Sequence, residues 1–496
     1  MFPEEQKMVL GSIVILYFFF LFALSVYINK SSIKTYDDYN LASRNVSLFP
    51  IILTFVGTAV GGSTLLGFME NGYVLGMGQQ WLNISLLVVG ILMAFFLVKK
   101  IRKIGSKHRM VTIGDFTALR YGESARIPTV ISILIAYCAI TGMQFTAIAT
   151  ILNLTIDLSM TTGVVISWVL LTIKTYYGGL KSVIWQDAVH GTIQTVGVFL
   201  LFFATLIVAG DFSTISQNAQ AINEGNHLNV FGIPPTEVLI YTVTIGGYQF
   251  VRQDLWQRYW AASSDRVALR GYWASIILGC LIGAFVIAIG VLGKYGLQLN
   301  MENSALIYYE VITNVFHFPI IIIMITALMA TVISTADSFF MASSSSVIND
   351  LIKPRMKNRD DTKLLKYSRL SVILVSVFAL LLSLYIPQIV NLWVTGTAML
   401  VSGLLAPVVF GLFWKGATKQ AGISSMWLGL VVAVTWQIAG HPFGIHPVFL
   451  GLPISILTLL IVSFLTKDKE QDNSIDIANY LLLGGGDHFV FENNER

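Results

Sequence analysis

Four residues with hydroxyl side chains share one face of a long apolar stretch at residues 319–347. Thr331, Ser334, Thr335 and Ser338 follow the spacing i, i+3, i+4 and i+7, which places them on one side of an α-helix. Small hard cations select oxygen ligands over nitrogen or sulfur. The spacing therefore favours a cation site, and the alternative is ordinary packing in which each hydroxyl bonds back to the i−4 carbonyl.

Two acidic residues, Asp187 and Asp337, fall clearly within apolar stretches. At the centre of a bilayer an acid costs about 2.5–3.5 kcal/mol on insertion scales, so such residues face the protein interior and mark functional sites. We therefore predict functional roles for both. The alternative for each is a position near a helix end, where water solvates the carboxylate.

Glycine pairs interrupt two further apolar stretches in the same way. One pair lies in Thr58–Thr64 and the other in Thr244–Gln249, and hydroxyl or amide side chains flank each pair. Adjacent glycines weaken a helix and let backbone carbonyls turn toward a cavity, which is tolerated at membrane depth only where protein or water surrounds them. Matching interruptions in two halves of a chain are typical of inverted-repeat transporters, whose binding site lies near the midplane. Close helix packing through small residues is the alternative.

Membrane-spanning helices are the elements that must position these residues. Of the 496 residues, 55% are hydrophobic and 12% are charged, and the mean hydropathy is +0.73. A typical soluble domain carries about 25% charged residues, so the composition excludes a soluble globular protein. A spanning helix needs about 20 mostly apolar residues. Thirteen such stretches occur, near 9–28, 50–70, 81–98, 127–152, 161–177, 183–209, 236–251, 273–293, 319–347, 368–385, 389–413, 421–439 and 445–465.

The basic residues indicate the orientation of these stretches. If the loops after odd-numbered stretches and the C-terminal tail face the cytoplasm, these segments and the ends of the stretches next to them hold all of the 31 Lys and Arg residues except Lys7 and Lys294. Positive charge is retained on the cytoplasmic side, so we expect a multi-pass protein of the cell membrane with its N-terminus outside and its C-terminus in the cytoplasm. The first stretch follows Glu4 and Glu5 rather than basic residues, which predicts a retained helix and not a cleaved signal.

The chain is expected to have four parts. In order they are an extra N-terminal helix and loop at 1–48, a transport core at 49–414, two C-terminal helices at 415–466 and a cytoplasmic tail at 467–496. Within the core, the matching glycine pairs assign the first repeat to 49–210 and the second to 236–414.

No arrangement typical of catalysis occurs in the sequence. It has no glycine-rich phosphate loop, no histidine pair at metal spacing and no nucleophile elbow. Cys138 and Cys280 lie in apolar stretches and predict packing rather than a metal site or a disulfide. The basic segment Lys99 to Arg109 fits a cytoplasmic loop in contact with anionic lipid, not a nucleic-acid site. We therefore expect no enzyme activity.

A set of short motifs runs along roughly residues 30 to 430. The motifs are Thr112-Ile113-Gly114-Asp115-Phe116 with Arg120-Tyr121-Gly122, Gly178-Gly179-Leu180, Trp185-Gln186-Asp187, Gln257-Arg258-Tyr259, Ala330 to Ser338, and Pro407 with Trp414-Lys415 and Gly422. This ordered set resembles the sodium/solute symporter family. The resemblance implies an all-α LeuT-type fold with about thirteen helices and a 5+5 inverted-repeat core, in which the second and seventh helices are broken. It also implies sodium-coupled uptake of a small organic solute by alternating access.

The same resemblance implies which residues form the binding sites. It also implies that sodium is the coupling ion and that the solute and the lipid bilayer are the other partners. The shared sodium site would consist of the carbonyls of Gly57, Val60 and Thr331 and the hydroxyls of Ser334 and Thr335. A second sodium site, found in some members, would correspond to Asp187 and Ser338. The substrate would lie between the two breaks, near Gly61, Ser63, Tyr248 and Gln249.

Three positions depart from the family pattern. Ala59 stands where the proline-transporting branch has an acidic residue, which argues against proline as the solute, and Asp337 replaces a serine of some members. Arg252 stands where many members have Asp or Asn. We expect it to pair with Asp254 as a gate or to lie at an interface, and contact with an anionic substrate is the alternative. For the whole chain, the alternatives are a proton-coupled or facilitative carrier on the same fold and a transporter-like membrane sensor.

Overall fold

A computed structural model describes residues 3–32, 35–356, 360–385 and 389–467 of the protein. Within these residues the regular structure is helical, and the one pairing of extended backbone is an isolated bridge between Val46 and Ala262. Helices are the expected solution in a hydrocarbon layer, because each helix satisfies its own backbone N–H and C=O groups.

The helices are numbered in chain order over the described residues. The α-helices are α1 Glu4–Ser32, α2 Tyr36–Leu41, α3 Leu48–Ala59, α4 Phe68–Leu75, α5 Gln80–Phe96, α6 Val98–Lys107, α7 Ile113–Tyr121, α8 Arg126–Ile156, α9 Met160–Ala209, α10 Phe212–Ala221, α11 Pro235–Tyr241, α12 Gln253–Ala261, α13 Asp265–Tyr295, α14 Ile307–Val315, α15 Phe318–Ser346, α16 Asp361–Tyr385, α17 Ile389–Phe413, α18 Lys419–Ile438 and α19 Val448–Thr466. Single turns of π-helix lie at Ser63–Gly67, Thr242–Gly246 and Val347–Ile352. Short 3-10 turns lie at Ala42–Arg44, Met77–Gln79, Glu123–Ala125, Gly225–Leu228, Gln249–Val251, Ser304–Leu306, Lys353–Arg355 and Pro442–Gly444.

Eleven helical segments of the described chain are long and apolar enough to cross a membrane without a break. Helix α9 supplies two of them, 160–180 and 182–209, because Gly179 interrupts it with a φ of +63°. A twelfth span consists of α3 and α4, which are bent by 56° relative to each other at the first glycine pair. The stretch at residues 50–70 therefore forms a broken helix, as the sequence predicted.

The stretch at 236–251 belongs to a longer discontinuous segment over 235–261. It consists of α11, a π-helical turn, the 3-10 turn Gln249–Val251 and α12. Arg252, with φ −75° and ψ 103°, is extended and separates the last two pieces. The described residues thus hold eleven unbroken candidate spans and one bent pair, and the expected span at 236–251 falls in this discontinuous segment. The polar helix α12 follows the predicted stretch directly.

Helix α15 forms the centre of the molecule. Residues 327–350 are all buried, and α3, α8, α9 and α16 pack around this helix. Small and hydroxyl-bearing side chains allow such close approach of helices in membranes. The residues predicted to act on α15 therefore face protein and not lipid.

The N-terminal and C-terminal helices lie on the outside of this centre. Helix α1 packs against α8 and α9, and Tyr17 Oη lies 2.9 Å from His190 Nε2. Helices α18 and α19 pack against each other and against α17. Of the tail expected at 467–496, all residues after Lys467 lie outside the described residues.

Two glycines allow α4 and α13 to cross in direct contact. A Cβ atom on Gly72 would lie 2.2 Å from the carbonyl oxygen of Ile287, and one on Gly290 would lie 2.0 Å from the carbonyl oxygen of Met69. Both distances are far below van der Waals contact, and neither obstacle is a side chain that could rotate away. The crossing therefore fixes the half of the broken span that follows the glycine pair.

We expect Gly290→Ala to destabilise the protein by about 1–3 kcal/mol, the usual cost of overpacking, because it forces α13 away from α4. The melting temperature in detergent checks this. Gly279→Ala is the matched control on the same helix, since no atom lies within 4 Å of the added methyl group, and its melting temperature should stay the same or rise slightly. Equal melting temperatures for the two variants would contradict the close crossing of α4 and α13.

Candidate functional site

The break between α3 and α4 is held open by side chains of other helices. A Cβ atom on Gly61 would lie 2.7 Å from Thr335 Oγ1, so the glycine allows this close approach. The Gln144 carboxamide accepts a hydrogen bond from the Gly62 N–H at 3.1 Å, and Gln194 Nε2 donates to the Val60 carbonyl at 3.1 Å. These amides replace the intrahelical hydrogen bonds that the break removes. The sequence interpretation did not single out Gln144 or Gln194.

Oxygen atoms from α3 and α15 lie close together next to this break. Thr335 Oγ1 donates a hydrogen bond to the Gly57 carbonyl at 3.3 Å, and Ser334 Oγ lies 3.4 Å from the same oxygen. Gly57 lies in the last turn of α3, where carbonyls lack intrahelical partners and the helix dipole favours a cation. The cluster thus offers neutral oxygens at a partially negative helix end.

Two other residues predicted for this sodium site have partners of their own. The Thr331 hydroxyl bonds back to the Ala327 carbonyl at 2.9 Å, which is the packing alternative for that side chain. The Val60 carbonyl accepts the hydrogen bond from Gln194 described above. The structure therefore brings Gly57, Ser334 and Thr335 together through hydrogen bonds, while Val60 and Thr331 lie within one turn of them along α3 and α15.

Asp187 lies against the same cluster and is completely buried. Ser334 Oγ donates a short hydrogen bond to Asp187 Oδ1, and Thr54 Oγ1 donates to Oδ2 at 2.6 Å. The alternative of a solvated carboxylate near a helix end is therefore wrong for this residue. A buried carboxylate needs a positive partner, and the structure supplies one in Arg258, whose Nη2 lies 3.2 Å from Oδ2.

Arg258 is a buried residue that the sequence interpretation did not assign to this cluster. Its guanidinium donates to Thr54 Oγ1 at 3.0 Å and to Ser338 Oγ at 2.7 Å, in addition to Asp187. Ser338 Oγ also lies 3.0 Å from Thr58 Oγ1. Both residues predicted for the second sodium site thus contact one guanidinium group. The orientation predicted from the sequence assigned Arg258 to a cytoplasmic loop. However, the two acids within apolar stretches, Asp187 and Asp337, already imply two buried basic partners.

Asp337 forms an ion pair with the second buried base, Lys174. Lys174 Nζ forms a short ion pair with Asp337 Oδ2, and Thr175 Oγ1 donates to Oδ1 at 2.7 Å. Lys174 and Asp337 are both almost fully buried. Lys174 lies inside the apolar stretch at 161–177, and its position beside two threonines within that stretch was the signal that could have identified it.

A cavity of about 60 Å³ adjoins the other side of the break. The lining side chains and backbone come from α3, α4, α5, the second broken segment, α13 and α17: Phe55, Ala59, Val60, Thr64, Phe68, Asn83, Leu86, Leu87, Tyr248, Gln249, Arg252, Leu255, Tyr272, Ser275, Ile276, Gly279, Cys280 and Trp393. Of the predicted substrate residues, Tyr248 and Gln249 line it, whereas Gly61 packs against Thr335. The side chain of Ser63 lies outside the described residues.

Arg252 lines the cavity and pairs with Asp254, as one of the sequence alternatives proposed. Its Nη2 lies 2.6 Å from Asp254 Oδ2 and its Nε lies 3.2 Å from Oδ1. Tyr137 Oη donates to the same carboxylate at 2.8 Å, and the Tyr248 ring lies 5.3 Å from the guanidinium carbon. The guanidinium is therefore fixed in position at the cavity wall.

Known proteins resemble this chain over nearly its whole length. A high-affinity proline transporter of Bacillus subtilis is 23% identical over 445 residues, with 88% of this chain and 93% of the relative covered. A sodium/pantothenate symporter of Escherichia coli is 24% identical over 470 residues, with 90% and 95% covered. A solved Na⁺-coupled sialic acid symporter, in a substrate-bound outward-open state, superposes with a TM-score of 0.78 at 17% identity, with 93% of this chain and 98% of that chain covered.

The structural likeness shows that the fold is of the LeuT type, with two broken helices facing each other across the central site. The family model described as "Sodium:solute symporter family" matches residues 39–429, which include every residue of the site described above. This chain therefore belongs to the sodium:solute symporter family.

Proposed function

We propose that this protein moves a small organic solute into the cell together with sodium by alternating access. The observation that carries the proposal is the cluster of Gly57, Ser334 and Thr335 oxygens next to a cavity that both broken segments line. The proposed transport core is 49–414, with repeats at 49–210 and 236–414. Such a carrier performs no covalent chemistry, so no catalytic residue is assigned.

The proposed sodium ligands are the carbonyls of Gly57, Val60 and Thr331 and the hydroxyls of Ser334 and Thr335. An ion at this position would replace hydrogen bonds between α3 and α15 with ion contacts and would fix the backbone of the break. Val60 also lines the solute cavity, so an ordered break presents a formed solute site. By linkage, sodium then raises the affinity for solute and solute raises the affinity for sodium by the same factor. Each sodium ion that moves inward gains about 2.3 kcal/mol per 100 mV of membrane potential.

Solute contacts are proposed for Gly61, Ser63, Tyr248 and Gln249. Tyr248 and Gln249 lie on the wall of the cavity and belong to the second break, whereas Gly61 and Ser63 belong to the first. A solute between them would contact both broken segments and would close the cavity around itself.

Combining Ser334→Ala with Thr335→Ala should weaken sodium binding by tenfold or more, because each lost ligand costs on the order of 1 kcal/mol. Binding of ²²Na⁺ to purified protein measures this directly. Ser343→Ala is the control, since Ser343 is buried on the same helix and its hydroxyl donates only to the Phe339 carbonyl, at 2.8 Å.

Solute uptake by the purified protein in liposomes distinguishes the alternative functions. Solute uptake that runs equally well on a proton gradient without sodium would contradict sodium coupling and favour the proton-coupled carrier. Solute binding without uptake under any gradient would favour the sensor.

Asp187 and Ser338 remain the proposed second sodium site, and its occupancy depends on Arg258. The guanidinium and a sodium ion would compete for the same oxygens of these two residues. We therefore expect Arg258→Met to increase the number of ²²Na⁺ ions bound per protein from one toward two, since it leaves the Asp187 carboxylate without its cation. Adding Asp187→Asn to this variant should return the number to one. An unchanged number in both variants would contradict a second site here.

The orientation proposed from the basic residues places the loop between α18 and α19 outside the cell and α6 inside. Phe443 in that loop is 92% exposed, and Lys103 on α6 is exposed as well. In a Cys280→Ser background, Phe443→Cys should react with a membrane-impermeant maleimide in intact cells, and Lys103→Cys should react only after the cells are opened. The reverse pattern would place the N-terminus in the cytoplasm.

A further inference from the structure

We propose that the transported solute is a carboxylate anion and that Arg252 binds its carboxylate. This inference rests on the proposed function and specifies the class of its solute. It starts from the charges that line the cavity between the two breaks. Among the lining residues, Arg252 is the one with a formal charge, and the other polar groups are neutral hydroxyl, amide and thiol side chains.

The absence of an acidic side chain from this lining argues against a cationic solute. An ammonium or quaternary amine would lose its hydration without meeting a counter-charge, which is costly in a low-dielectric site. An anion, by contrast, meets a guanidinium at the wall. Arginine suits this task because its planar donors match the geometry of a carboxylate.

The guanidinium of Arg252 is held with part of its donor capacity free. Asp254 accepts from Nε and Nη2, so this carboxylate fixes the plane of the group. Asp254 is itself fixed by Tyr137 and is completely buried. Within the described residues, Nη1 donates to no protein acceptor and is not fully buried, and Arg252 lines the cavity. A donor held in place before binding loses little entropy when a ligand arrives.

Two further polar atoms beside Arg252 lack partners. Tyr248 Oη and Gln249 Oε1 are buried and form no hydrogen bond within the described part of the chain, and both residues line the cavity. Buried polar atoms without partners are rare and cost about 1–3 kcal/mol each. A bound solute would satisfy both: Tyr248 Oη can donate to a carboxylate, and Gln249 Oε1 can accept from a hydroxyl or amide N–H elsewhere on the solute.

The charge balance of the site leads to the same class of solute. Around it, Arg258 pairs with Asp187, Lys174 with Asp337 and Arg252 with Asp254. These three pairs are neutral overall, and the proposed first sodium site adds only uncharged oxygens. A sodium ion therefore brings an uncompensated positive charge into the membrane interior, and a carboxylate anion bound next to it restores neutrality.

The rest of the cavity fits an apolar body. Phe55, Phe68, Tyr272 and Trp393 present aromatic side chains to it, and Ser275 and Asn83 add small polar contacts. Ligand sites of this kind combine mostly apolar walls with a few polar groups that fix orientation. The expected solute is thus a small carboxylate with an apolar or weakly polar remainder.

Matched ligand pairs test the inference with purified protein in sodium and in choline buffer. The probes are pantothenate and pantothenol, isovalerate and isovaleramide, phenylacetate and phenylacetamide, and the corresponding amines isopentylamine and phenethylamine. We expect at least one carboxylate to raise the melting temperature in sodium, and its affinity by calorimetry should exceed that of its uncharged partner tenfold or more.

Variants at the pair of Arg252 and Asp254 connect this selectivity to the guanidinium. Arg252→Gln should abolish the preference for carboxylate over amide, and Arg252→Gln with Asp254→Asn should do the same without leaving a buried charge unpaired. Arg270→Gln removes an exposed arginine from α13 and should leave binding unchanged. All variants should still bind ²²Na⁺.

Three results would overturn the proposal. They are a panel in which no carboxylate stabilises the protein in sodium, sodium-dependent binding of an amine or amide as strong as that of the carboxylate, and full carboxylate selectivity in the neutral double variant. Each leaves sodium coupling intact. Failure of the proposed function would differ, because ²²Na⁺ binding or its effect on the solute would then be absent from the unmodified protein.

Discussion

The guanidinium of Arg258 joins four helices of this protein at membrane depth. It contacts Thr54 on α3, Asp187 on α9 and Ser338 on α15, and its own helix α12 belongs to the second broken segment. A charge buried in this way is stable only while all its partners stay in place. The ion pair therefore ties the two broken segments to the central helix, and it adjoins the proposed sodium ligands because Ser334 bonds to the same Asp187.

The proposed sodium site and the proposed solute cavity lie on opposite sides of one short unwound piece of backbone. Gly57 precedes the break and faces α15, while Val60 is part of the break and faces the cavity. Gln144 and Gln194 hold this backbone from two other helices. Because the same short backbone lies between them, the proposed coupling of ion and solute needs no long pathway through the protein.

Residue spacing predicted the helices better than it predicted which side chains contact each other. The hydroxyl face of α15, the break at the first glycine pair and the pairing of Arg252 with Asp254 were visible in the sequence. The second glycine pair is helical, and its segment breaks instead at Arg252. Arg258 and Lys174 were not recognised, because basic residues near the ends of apolar stretches were assigned to loops. Hydropathy also missed α12, since its polar residues are satisfied by tertiary contacts that no local pattern reveals. The positions of the acids implied buried bases, but only the fold shows which bases they are.

The polarity of the second broken segment has a consequence for how the protein enters the membrane. Its pieces are short, and Arg252, Asp254 and Arg258 each cost about 2.5–3.5 kcal/mol when a helix inserts alone. The charged residues of this segment therefore depend on earlier helices for ion-pair partners. Above all, Arg258 depends on Asp187 of α9. Biogenesis should accordingly retain residues 235–261 near the translocon until α9 is in the bilayer, and glycosylation mapping of truncated chains would record that delay.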